Sequence, residues 1–75
     1  MFEIKGTSWC PFCQEAKELL ESLSEEFSFE DLDELPEKGL ELIQEGFKTI
    51  PQIWHNGDHV GGFQELQKYF KGDNQ

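Results

Sequence analysis

Asn56-Gly57 lies between two short apolar runs, Ile53-Trp54 and His59-Val60, and no other stretch limits the fold of this chain so tightly. The pair suits the positive-φ positions of a two-residue turn, so two antiparallel strands are expected around it. Gly61-Gly62 closes that hairpin. Upstream, Phe2 and Ile4 ahead of Gly6-Thr7-Ser8 read as a short opening strand and a loop. Pro11 suits the first turn of a helix, where its missing N–H costs nothing. Ala16, Leu19, Leu20 and Leu23 then recur on one stripe, so a helix is expected from about Pro11 to about Ser24.

Phe27 and Phe29, with Asp31 in phase, alternate with Ser28 and Glu30 as a strand does. Pro36 starts a second helix whose apolar positions are Leu40, Ile43 and Phe47, with Gly46 as its stop. Leu66, Tyr69 and Phe70 make a last short helix, with Lys68 and Lys71 near its negative end. The tail from Gly72 to Gln75 is expected to fray. The order is β-α-β-α-β-β-α. Two strands joined through a helix lie parallel with a right-handed crossover, and the hairpin adds two antiparallel ones. The expected class is α/β: one domain over residues 1–75, with three helices flanking a four-stranded mixed sheet.

Six Lys and Arg against sixteen Asp and Glu give a net charge of −10, which argues against nucleic acid and anionic membrane as partners. Twelve of the acids fall between Glu15 and Glu45, against Lys17 and Lys38. They read first as a solvated face, and second as a means of choosing a basic protein partner. Ten aromatic residues supply the core that a disordered chain would lack. No apolar run is long enough to span a membrane. The start, MFEIKGTSWC, does not read as a signal peptide, so the expected location is the cytoplasm, where structural disulfides are disfavoured.

Both cysteines lie in the run Trp9-Cys10-Pro11-Phe12-Cys13. A zinc site with His55 and His59 has the right ligand types. However, the gap from Gln14 to Trp54 is too long for a small zinc finger. Across an Asn56-Gly57 turn, His55 sits opposite Asp58 and His59 opposite Trp54, so the two histidines point to different faces. No metal is expected. A structural disulfide here closes a loop with only Pro11 and Phe12 inside it, a poor staple. A redox pair suits the position. Where a loop becomes a helix, backbone N–H groups favour a thiolate on Cys10, with Cys13 one turn in as the resolving partner.

Three separated motifs resemble the glutaredoxin family, in the look of its small bacteriophage-encoded members. Cys10-Pro11-Phe12-Cys13 is similar to the dithiol CPYC centre, Thr49-Ile50-Pro51 to the TVP segment with its cis proline, and Gly61-Gly62-Phe63 to the segment opening the last helix. The resemblance implies a thioredoxin-like fold and an enzyme, a glutathione-dependent thiol–disulfide oxidoreductase. It implies Cys10 and Cys13 as the catalytic pair, and Ile50 pairing through its backbone with the cysteinyl part of glutathione. Thr49 and Pro51 would shape that wall, and Phe12 would flank the groove. Phe63 and Gln64 would hold the γ-glutamyl carboxylate at a helix N-terminus, mainly through backbone N–H groups, and Gly62 is counted with them among the glutathione-binding residues. Thr7 fills a position that is often Lys or Arg, so Lys48 is the expected substitute and Lys5 a weaker one. Gln64 stands where Asp or Ser is frequent, and Phe12 lacks the common tyrosine hydroxyl. Trp9 reads as a partly exposed packing residue or as an edge of the substrate groove. The implied partners of this expected monomer are glutathione and disulfide-bearing proteins, with ribonucleotide reductase a family expectation. If phage-encoded, it would act in the host cytoplasm. Two other functions stay open: a similar redoxin fed by thioredoxin reductase, and a carrier of a glutathione-ligated iron–sulfur cluster.

Overall fold

The computed structural model describes residues 1–71; the expected fraying of Gly72 to Gln75 lies outside them. Seven elements follow in the expected order: β1 (Phe2–Gly6), α1 (Pro11–Ser22), β2 (Phe27–Asp31), α2 (Pro36–Gln44), β3 (Gln52–His55), β4 (Asp58–Gly61) and α3 (Phe63–Lys71). The strands form one sheet in the order β2-β1-β3-β4. β1 and β2 are parallel, as a crossover through α1 requires. β3 is antiparallel to both β1 and β4. Asn56 and Gly57 both take positive φ, 53° and 90°, and pair His55 with Asp58 and Trp54 with His59.

Strand alternation gives the sheet two unlike faces. Phe2 and Ile4 of β1 and Ile53 of β3 point to one side and meet Ala16 and Leu20 of α1 and Leu66 of α3. These six side chains form the buried core, with Phe27, Phe29, Val60, Phe63 and Phe70 packed around it. Burying each large aliphatic or aromatic member contributes roughly 1.5–3 kcal/mol. The opposite face is more polar. In register across it run Ser28, Glu3 and Trp54, then Glu30, Lys5 and Gln52. Lys5 lies 3.9 Å from Glu30 and 5.2 Å over the Trp54 ring.

Three local expectations need correction. α1 stops at Ser22 rather than near Ser24. Ser24 takes φ 57°, and the Glu25 N–H reaches back to the Leu20 carbonyl, the left-handed helix ending usually built on glycine. Leu23 is thereby thrown outward and lies exposed rather than on the buried stripe. α2 also turns differently. Leu40 and Ile43 are 60% and 63% exposed, whereas Leu42 is only 4% exposed. Phe47 lies beyond the helix and packs on Trp54 and His59. α2 thus hides one side chain instead of a stripe.

Candidate active site

The strand-to-helix passage after β1 delivers both thiols. Cys10 is the N-cap of α1, and its Sγ accepts the Cys13 backbone N–H at 3.3 Å. The sulfur thus serves as the helix's own capping group, facing backbone N–H groups that favour negative charge there. Pro11 takes the first helical position, and Gln14 closes the first helical bond onto the Cys10 carbonyl. The Gln14 side chain also ties the loop by donating to the Ser8 carbonyl at 2.9 Å. The first turn of α1 carries no carboxylate, despite the −10 charge of the chain. Cys10 is 5% exposed, and both cysteines are free thiols.

Cys13 is fully buried, and its thiol is pushed up to about 12. Burial is the largest cause, followed by the hydrogen bond to Cys10 and the Cys10 charge. The Thr7 backbone and Lys17 pull the other way. Cys13 fits only because residue 6 is glycine: a Cβ there would fall well inside van der Waals contact with Cys13 Sγ. Sequence reading missed this role. A glycine at the end of a strand was the available signal of close approach.

The loop before β3 forms the facing wall. Its Ile50-Pro51 peptide is cis. The Ile50 carbonyl stands 3.9 Å from Cys10 Sγ. Gln52, another residue missed, is buried and donates through Nε2 to the Thr49 carbonyl and hydroxyl at 3.0 and 3.1 Å. His59 Nε2 lies 2.8 Å from Gln52 Oε1. His55 is on the other face, stacked on Phe2 at 4.0 Å. The two histidines are therefore parts of different packing arrangements, as their register predicts. Among the described residues no group of three or more His, Cys, Asp or Glu could hold a metal ion.

Between this loop and α3 lies a cavity of about 180 Å³. Phe12, Thr49, Ile50 and Pro51 line one part of it. Gly62, Phe63 and Gln64 line the other, joined by Glu65, which sequence reading did not single out. Phe12 and Phe63 stack with centroids 6.0 Å apart. Glu65 accepts the Gly62 N–H at 2.9 Å, which with its own backbone N–H holds its carboxyl below the usual carboxylate range. This is half of a capping box, with glutamate three residues into the helix. Lys48 is not part of the cavity wall; it is exposed and lines a neighbouring depression that shares Thr49 and Ile50. Lys5 is engaged by Glu30 and Trp54. Thr7 is buried, with its Oγ1 lacking a hydrogen-bond partner among the described residues. Trp9 is not a packing residue: it is 68% exposed, and its indole N–H donates to Asp33 Oδ2 at 2.6 Å.

Such an arrangement suits thiol–disulfide exchange: one sulfur at a helix start, a second buried behind it, and a cavity beside the first. The comparisons agree. A family model described as Glutaredoxin matches residues 2–60, well over half of the chain. The glutaredoxin of Pseudomonas aeruginosa is 43% identical over 64 residues, covering 84% of this chain and 76% of that protein. The glutaredoxin of Enterobacteria phage T4 is 36% identical over 77 residues, covering 83% of this chain and 85% of the phage protein. The crystal structure of the buckwheat glutaredoxin–glutathione complex has a TM-score of 0.78, covering 95% of this chain and 69% of that one. At 22% identity it speaks for the fold alone, which is thioredoxin-like.

Proposed function

The chain belongs to the glutaredoxin family and is a thiol–disulfide oxidoreductase, and on that premise we propose that glutathione is its reductant. The observation that carries this reading is the cavity beside Cys10, with the Ile50 backbone on one side and the α3 N-terminus on the other. Ile50 offers its main chain to the cysteinyl part of glutathione. The α3 N-terminus receives the γ-glutamyl carboxylate on the backbone N–H groups of Phe63 and Gln64, the Gly62 N–H being taken by Glu65. Thr49 and Pro51 shape one wall, and Phe12 covers the mouth. Lys48, next to Thr49 in the chain, supplies positive charge for the glycine carboxylate. Protein disulfides and glutathione mixed disulfides are the substrates, and the cytoplasm is the proposed setting.

The Cys10 thiolate attacks one sulfur of a substrate disulfide, forms a mixed disulfide and expels the other sulfur as thiolate. The Cys13 thiolate then attacks Cys10 Sγ, closing the Cys10–Cys13 disulfide and releasing the second substrate thiolate. One glutathione thiolate opens that disulfide onto Cys10. A second attacks the glutathione sulfur, leaving glutathione disulfide and the reduced pair. Once Cys10 is in a mixed disulfide, its charge and hydrogen bond no longer hold the Cys13 proton. Cys13 therefore becomes easier to ionise at the step that uses it.

The test is a coupled assay with NADPH, comparing glutathione plus glutathione reductase with thioredoxin reductase alone. Turnover is expected with the first. Turnover with only the second would replace this reading by the thioredoxin-reductase alternative. A Cys13→Ser variant should keep deglutathionylation and lose reduction of protein disulfides.

A further inference from the structure

A second depression, of about 440 Å³, runs between α2 and the segment Phe47 to Ile50. Leu42 and Phe47 form its apolar floor, and Leu40 and Ile43 stand exposed along it. It shares Thr49 and Ile50 with the cavity beside Cys10, so the two depressions are neighbours. The surrounding charge is one-sided. Six carboxylates lie between Asp31 and Glu45, including Glu37 and Glu41 on α2, against Lys38 in that stretch and Lys48 in the groove lining.

We propose that this groove docks a flexible basic segment of the disulfide-bearing substrate protein, seating one bulky apolar side chain on Leu40 and Ile43. The proposal rests on the redox function above. Charge selects the occupant. Two copies of this chain, each at −10, would set like charges against each other in a symmetric contact. A segment carrying Lys or Arg beside an apolar anchor is drawn by the carboxylates on and around α2 and held on the exposed Leu40 and Ile43. Such complementarity acts mainly on association rate and partner choice.

Three synthetic peptides test this, each with one cysteine in a glutathione mixed disulfide. The first carries leucine among lysines, the second leucine among glutamates, and the third serine among lysines. At low salt the first is expected to exceed the second by about tenfold in kcat/KM, and the gap should shrink as salt rises. L40S/I43S should erase the advantage of leucine over serine, and E37Q/E41Q should narrow the charge preference. Both variants should reduce hydroxyethyl disulfide with glutathione as the parent does. Equal rates for all three peptides, or preferences surviving the substitutions, would overturn the docking surface. A non-reacting version of the first peptide, with serine for cysteine, separates docking from chemistry. Its binding should shift amide signals from Gly39 to Ile43 and from Phe47 to Ile50. Shifts elsewhere would overturn the proposal, as would the same shifts appearing with protein concentration alone, which would indicate a second copy. If hydroxyethyl disulfide were not reduced, the redox function would fail while these amide shifts still judged the groove.

Discussion

Cys10 and Cys13 have similar intrinsic chemistry and opposite surroundings. One sulfur caps a helix; the other is packed against Gly6 with its proton held tightly. The folded chain binds the Cys13 proton more strongly than an unfolded chain does. Its contribution to stability is therefore complete below about 9 and is lost as pH rises toward about 12. The reduced protein should lose stability over that interval, and a Cys13→Ala variant should lose less, as read by urea unfolding at stepped pH. Iodoacetamide on the native protein at pH 8 to 9 should modify Cys10 alone, with Cys13 reacting only after denaturation; mass spectrometry of the peptides checks this. Gly6→Ala should cost roughly 1–3 kcal/mol by overpacking against Cys13 and lower the reduction of protein disulfides. An unchanged melting temperature would contradict that close contact.

Among the elements, the legible parts were those with local chemistry. Asn56-Gly57 dictated the hairpin, Pro11 and Pro36 the two helix starts, and Gly46 the end of α2. The orientation of α2 was not legible, because the visible apolar pair Leu40 and Ile43 says nothing about what lies beneath it. Nor could a local pattern show that Lys5, Glu30 and Gln52 lie in register across one sheet face, which distant strands set. Gln52 was missed for the same reason. In sequence it is a polar residue opening a strand; in the fold it ties the Thr49 loop to His59 of β4. Gln52→Leu removes those bonds and is expected to cost about 1–3 kcal/mol. It should also raise the KM for glutathione severalfold while leaving kcat less affected. An unchanged KM would mean that the loop holds its shape without this support.

At the scale of the whole molecule, the charge of −10 is distributed rather than uniform. The carboxylates crowd α1 beyond its first turn, β2 and α2, while the start of α1 has none. Exposed charges more than about 8–10 Å apart are largely screened at physiological salt. The nearby helix ends can therefore outweigh the general field for an anionic partner such as glutathione. The most direct measurement follows a Cys13→Ser variant exposed to glutathione disulfide, by mass spectrometry and amide NMR together. One glutathione should attach per chain, at Cys10, with shifts centred on Thr49 to Pro51 and Gly62 to Gln64, and a second glutathione should release it. Attachment with shifts that spare both segments, or no attachment, would contradict a glutathione site in this cavity.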